Sequence, residues 1–226
     1  MAEDEVIAVV GGTGDLGNAL ARRLARSGRN VIIGSRTAER AIAAADALSA
    51  ELGTKVKGDS NAAAARNAGV VLVTVPYAAQ SGTLLEIRDS VRGKVVIDTT
   101  VPLVPPKVMR VQLPPEGCAA VAAQRILGNE VRVVSAFHNV AARKLAMDGV
   151  VDCDVIVFGD DRAARDIAVE LVNVCGLRGL HGGALANSAA AEALTSVLIF
   201  MNKTYAVEGA GIRITGRDTW EVSKTK

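Results

Sequence analysis

The chain has 226 residues, half of them hydrophobic, so it is long enough to bury the core of one large domain. Lys and Arg number 26 against 24 for Asp and Glu, and the net charge of +2 supplies no overall field for nucleic acid or an anionic membrane. Cys118, Cys153 and Cys175 are widely spaced and odd in number, which excludes a disulfide framework or a metal knuckle and fits buried thiols.

In chain order, the start MAEDE is acidic where a signal peptide would be basic, which gives the expectation of a cytoplasmic protein. Runs rich in Val and Ile then predict strands at Val6 to Val10, Val31 to Gly34, Val70 to Val75, Val95 to Asp98, Arg132 to Ser135 and Val155 to Phe158. Between them, segments rich in Ala, Leu and Arg predict helices at Asp15 to Ser27, Ala38 to Leu52, Ala78 to Ser90, Pro115 to Leu127, Val140 to Met147 and Asp161 to Val174. Several of the strands are apolar throughout, so both faces of the sheet need helices over them. The fold class expected is α/β, a doubly wound, mostly parallel Rossmann sheet with a small C-terminal helical part.

A short run at Leu177 to Leu180 precedes HGG, read as a glycine turn, and then one long helix that is apolar almost all the way round. Such a helix is expected to be buried against the sheet, a partner subunit, or both. The stretch Val197 to Met201 within it is too short to span a bilayer. The domains expected are a nucleotide-binding unit over 4–182, a helical segment over 183–216 completing the cleft, and a polar, mobile tail over 217–226.

The sequence VVGGTGDLG sets Gly12, Gly14 and Gly17 as GxGxxG between the first strand and the first helix. That context is what gives the motif meaning. The glycines permit a tight turn, close approach of a pyrophosphate and close helix packing, and the free N–H groups of Thr13, Gly14, Asp15 and Leu16 face the anion. At the end of the second strand, where an NAD-selective site places a carboxylate, the chain has Ser35, Arg36 and, one helical turn on, Arg40. A hydroxyl and two guanidinium groups supply donors and positive charge for a 2′-phosphate, so the dinucleotide expected is NADP. The alternative for Arg36 and Arg40 is a solvated helix start.

Neither tyrosine has a lysine four residues later, since Ser81 follows Tyr77 and Gly209 follows Tyr205 at that spacing. The Tyr/Lys acid of short-chain dehydrogenases is therefore missing. No HxH or HExxH occurs, so no metal site is expected. His138 follows a strand and has two readings, one as a binding or orienting residue in the cleft and one as a packed residue. His181 is read as structural. A nicotinamide with so little acid–base equipment suggests hydride transfer to a second planar cofactor, which needs mainly two rings held in contact.

Taken together, VVGGTGDLG, IIGSR, VTVPY, VVIDTTVPL, SAFHNVAA, FGDD and ALANSAAAEALT resemble the family of coenzyme F420-dependent NADP reductases, over about Val6 to Gly216. The resemblance implies a Rossmann domain with a helical C-terminal part, a homodimer, and hydride transfer between NADP and coenzyme F420, a deazaflavin. It also implies that Thr13, Gly14, Asp15 and Leu16 form the pyrophosphate loop and that Ser35, Arg36 and Arg40 form the 2′-phosphate pocket. Val75, Val101 and Ala142 match positions near the ribose and nicotinamide, and Pro76, Pro102 and His138 lie near the ring pocket. Asp15 and Tyr77 depart from the family pattern, which leads to Asn and Trp there. Two further readings stay open: an NADPH-dependent reductase of flavin, ferric or imine acceptors, and a non-enzymatic NADP redox sensor.

Overall fold

The computed structural model describes residues 5–216. Strand β1 (Val6–Val10) leads into helix α1 (Asp15–Arg26), β2 (Asn30–Ser35) into α2 (Ala38–Leu52), and β3 (Lys57–Ser60) into α3 (Asn61–Arg66). Next come β4 (Val70–Val73), α4 (Tyr77–Ile87), β5 (Val95–Asp98), α5 (Ala119–Leu127), β6 (Arg132–Ser135) and α6 (Ala142–Ala146). The last elements are β7 (Asp154–Gly159), α7 (Arg162–Val174), β8 (Arg178–Gly183) and α8 (Ser188–Tyr205). The strands form one sheet in the order β3-β2-β1-β4-β5-β6-β7-β8, and every pairing is parallel except β6 with β7. The strand order reverses between β1 and β4, so a crevice opens there at the carboxyl edge, where doubly wound folds bind ligands.

Alternation along the strands divides the core between the two faces. Ile7 and Val9 of β1 join Leu20, Leu24, Ala41, Ala45, Ala168 and Leu171 on one side. Ala8 and Val10 join Ala64, Ala65, Leu84, Ile87, Ala120 and Ala123 on the other. Both faces are dry because helices cover both, as the uniformly apolar strands require. Helix α7 is N-capped by Asp161, whose carboxylate accepts from the Ala164 amide at 2.7 Å. The three cysteines are free and buried, and burial pushes the Cys175 thiol up to about 12.

Several predicted boundaries move for local reasons. The fourth strand stops at Val73 rather than Val75, because the amide and the hydroxyl of Thr74 both turn onto the Val10 carbonyl, at 2.9 and 2.8 Å. Helix α5 starts at Ala119, not Pro115, because Gly117 has φ +94 and its amide closes a turn on the Pro114 carbonyl. The predicted helix over Val140 to Met147 shortens to the five residues of α6. The HGG stretch is the end of β8 rather than a turn, the chain reversing only at Gly183, with φ +87. Strand β3 and helix α3 carry no apolar pattern; β3 is placed by Gly58, where an added Cβ would sit 2.3 Å from the Ala41 backbone of α2. The predicted tail over 217–226 lies outside the described residues.

Helix α8 buries only one side in this chain. Ser188, Ala191, Glu192, Ser196 and Leu198 are buried, whereas Phe200 and Tyr205 are 53% and 68% exposed. Of the two coverings expected for this helix, the sheet domain accounts for one side. No helix among the described residues is long and apolar enough to cross a membrane.

Candidate functional site

The glycine loop leaves β1 at the switch point. The Gly12 amide is taken by the carbonyls of Val9 and Gly34, at 3.1 and 2.9 Å, and the Gly14 amide by the Gly11 carbonyl at 3.0 Å. The amides of Thr13, Asp15 and Leu16 find no backbone acceptor among the described residues, and Gly14, the N-cap of α1, brings no side chain to cover them. Three such donors at a helix N-terminus are an arrangement suited to an anion. Gly14 itself was expected to be a fourth donor; its amide is already engaged, and it contributes clearance instead. A Cβ there would meet nothing nearer than the Gly11 carbonyl oxygen at 3.5 Å, whereas one at Gly17 would lie 2.4 Å from Thr74 Oγ1. Gly17 is thus required by packing, whereas the fold itself leaves room for a side chain at Gly14. Asp15 is exposed in the first turn of α1, where its charge suits the helix dipole.

At the end of β2, Ser35 is buried with its hydroxyl 3.3 Å from that of Thr13. Arg36 and Arg40 are exposed, and neither forms an ion pair among the described residues. The Asp59 carboxylate on neighbouring β3 accepts from the Ser60 amide at 2.7 Å. Unpaired guanidinium groups beside a hydroxyl are a fitting set for a phosphate dianion.

The other candidate residues follow the carboxyl ends of β4, β5 and β6, so the parallel sheet gathers them along one edge. Val75 and Pro76 lead into α4, of which Tyr77 is the first residue. Val101 and the buried Pro102 follow β5, and His138 and Ala142 follow β6. Phe137 takes φ +65, a conformation that costs a non-glycine residue of order 1 kcal/mol or more. The strain turns the chain so that the next side chain, His138, lies buried with both ring nitrogens unpartnered among the described residues. Burial pushes the His138 imidazole down to about 4, so it is neutral at neutral pH. Its carbonyl accepts from Thr195 Oγ1 at 2.8 Å, which ties α8 to this edge.

His181 lies elsewhere, on β8, with Nε2 3.3 Å from the Asp166 carboxylate of α7. A cavity of about 1000 Å³ is also elsewhere, between β8, α7 and the start of α8. None of the carboxyl-edge residues lines it. Volume alone does not mark the site here, because the free amides, the unpaired arginines and the strained turn all lie at the switch-point edge.

A family model described as NADP oxidoreductase, coenzyme F420-dependent, matches residues 6–102, which include the glycine loop, the end of β2 and the turn after β5. The F420-dependent NADP reductase of Methanothermobacter marburgensis is 43% identical over 218 residues, 92% of this chain and 97% of the relative. That of Methanocaldococcus jannaschii is 38% identical over 219 residues, with the same coverage of 92% and 97%. The chain belongs to the F420-dependent NADP reductase family. A crystal structure from Arthrobacter sp. FB24, described as an F420-dependent NADP reductase, shares the fold with a TM-score of 0.79 at 23% identity, over 94% of this chain and 99% of that one.

In this member of the F420-dependent NADP reductase family, three buried acceptor residues support the edge without having been legible in the sequence. Asp98, at the end of β5, accepts from the Thr100 hydroxyl at 2.6 Å, the Thr100 amide at 3.2 Å and Gln80 Nε2 at 2.5 Å. Burial pushes its carboxyl up, and these hydrogen bonds pull it back in part. Glu192 of α8 accepts from the first two amides of α5, Ala119 at 2.7 Å and Ala120 at 3.1 Å, and from the Ser188 hydroxyl at 2.9 Å. Burial outweighs those bonds and pushes Glu192 up to about 7. The third is Asn61, whose Oδ1 accepts from the Gly11 amide at 3.2 Å. Capping residues are usually read from the positions just before a helix, and Glu192 caps α5 from 73 residues away.

Proposed function

We propose that the carboxyl edge of β1, β2, β4, β5 and β6 holds NADP against coenzyme F420, and that the chain passes a hydride between the two. The observation that carries this reading is the pairing of three free loop amides with two unpaired arginines beside Ser35 and Thr13, a donor set suited to a pyrophosphate and a 2′-phosphate at once. Within that reading Gly12 and Gly17 shape the loop, Thr13, Gly14, Asp15 and Leu16 line the pyrophosphate, and Ser35, Arg36 and Arg40 hold the 2′-phosphate. Val75, Val101 and Ala142 flank the ribose and nicotinamide, and Pro76, Pro102 and His138 border the ring pocket.

When bound, the nicotinamide and the deazaflavin supply the hydride chemistry themselves; the chain's residues bind, orient and exclude water. His138, neutral and unpartnered, orients a ring through a single hydrogen bond rather than acting as an obligatory base. The 183–216 segment closes the cleft, a role supported by the Thr195 bond to the His138 carbonyl and by the Glu192 cap on α5. We further propose a cytoplasmic homodimer. It is supported by the exposed Val197, Phe200, Met201 and Tyr205 of α8 and by Met109, Val111 and Leu113 of the neighbouring segment, whose Arg110 carbonyl accepts from Ser196 Oγ at 3.4 Å.

An absorbance assay of the purified chain with NADPH and F420, with flavin mononucleotide as control, tests the activity. NADPH is expected to be oxidised with F420, and F420H2 with NADP, without added metal. Turnover with flavin alone would favour the broader reductase reading, and cofactor binding with no turnover on any acceptor would favour a redox sensor.

A further inference from the structure

The first glycine of the loop, Gly11, stands outside the GxGxxG spacing, and its peptide is held at both ends. Its carbonyl accepts from the Gly14 amide at 3.0 Å, and its own amide donates to Asn61 Oδ1 at 3.2 Å. Gly11 has φ +76, and a Cβ there would lie 2.6 Å from Val75 Cγ1, so the peptide is pressed into a narrow slot between β1 and the turn after β4. Asn61 is buried, 1% exposed, at the first position of α3. It reaches the loop only by passing over Gly34 of β2. A Cβ at Gly34 would lie 3.0 Å from Asn61 Oδ1 and 3.3 Å from its Cα. That is why a glycine follows the apolar Val31, Ile32 and Ile33 in β2.

We infer that Asn61 is a positioning residue for the dinucleotide: it crosses over Gly34 to fix the Gly11 peptide, and through Gly11 the orientation of Gly14 and the free amides at the start of α1. The chain of contacts is short. Asn61 holds the Gly11 amide, the Gly11 carbonyl holds the Gly14 amide, and the Gly14 carbonyl receives the Asn18 amide at 2.8 Å as α1 begins. Removing the side chain leaves the half-buried Gly11 amide without its acceptor and frees the peptide that sets the anion site. The inference rests on the reading of this loop as the pyrophosphate site of NADP.

The test compares two ligands. NADP reaches both the loop and the 2′-phosphate pocket, whereas adenosine 2′-monophosphate has no 5′-phosphate and engages only the latter. Asn61→Ala is expected to weaken NADP binding by about 3- to 30-fold, leave adenosine 2′-monophosphate within about twofold of wild type, and raise the KM for NADPH with kcat nearly unchanged. Gly34→Ala, which crowds Asn61 off its position without removing it, is expected to do the same and carries the test if Asn61→Ala does not fold. Unchanged NADP affinity, equal losses for both ligands, or a fall in kcat at constant KM would each overturn the inference. Wild-type protein that binds no NADP would instead overturn the reading of the loop itself.

Discussion

Arg36 stands at the end of β2 with no acidic partner among the described residues, which leaves its guanidinium available to an anion from outside. Its replacement by Ala is expected to cost roughly 10- to 150-fold in NADP affinity, the worth of one charge-assisted contact of about 1.5–3 kcal/mol, and to leave NAD affinity almost unchanged. Titration of both cofactors decides it, because equal losses would make Arg36 a structural residue. Because Arg36 is exposed, the difference should also shrink as salt rises. At this scale the sequence is legible where recognition is local: Gly12, Gly14, Ser35 and Arg36 lie within two short stretches whose spacing carries their meaning. It is not legible where the partner is remote. Asn61 acts on Gly11 from 50 residues away, and nothing in the surrounding SNAAAAR says which strand end its amide will reach.

Helix α8 and the turn after β6 each carry a buried group, and the two titrate in opposite senses. Glu192, at 4.5 when unfolded and about 7 in the fold, holds its proton more tightly in the folded chain, so its effect is to make stability fall as pH rises between those values. His138, at 6.5 when unfolded and about 4 in the fold, binds protons more readily in the unfolded chain, so its effect is to make stability rise with pH over that window. Each effect is on the order of 3 kcal/mol at full span, and from about pH 4.5 to 6.5 they oppose one another. Glu192→Gln should therefore uncover a melting temperature that climbs across this interval, and His138→Asn one that descends. Thermal melts at pH 4.5, 5.5, 6.5 and 7.5 distinguish them, and parallel curves for both variants and wild type would contradict the pairing. A helix that reads as apolar all round gave little hint of this. Glu192 was one acid in a long hydrophobic segment, and only the fold brings the start of α5 to it.

For the molecule as a whole, the doubly wound plan is legible because Val-rich and Ala-rich segments alternate almost without interruption. Two features escape that pattern. An edge strand such as β3 packs through Gly58 and needs no apolar run, and an apolar run such as Val155 to Phe158 reads the same in either direction, so nothing marks β7 as antiparallel to β6. The reversal brings Asp154, at the start of β7, to the carboxyl edge, where it is buried and accepts from Arg178 Nε at 2.7 Å, Arg178 Nη2 at 2.5 Å and the Ile214 amide at 2.5 Å. Burial alone would raise its carboxyl, and the Arg178 pair with the Ile214 amide outweighs it, holding the group below the usual carboxylate range. Asp154→Ala is expected to cost about 2–4 kcal/mol, toward the lower end because Arg178 keeps some access to water, as read from a shift in urea midpoint at constant slope.

The same bond sets an order of events when the chain is made. Asp154 and Ile214 lie 60 residues apart. At about 5–20 residues per second, a ribosome needs roughly 3–12 s to cover that distance. Strands β1 to β6, with the glycine loop and the end of β2, are already synthesised by then. The segments that carry the glycine loop and the end of β2 are thus present in the nascent chain several seconds before Ile214 arrives to close its bond to Asp154.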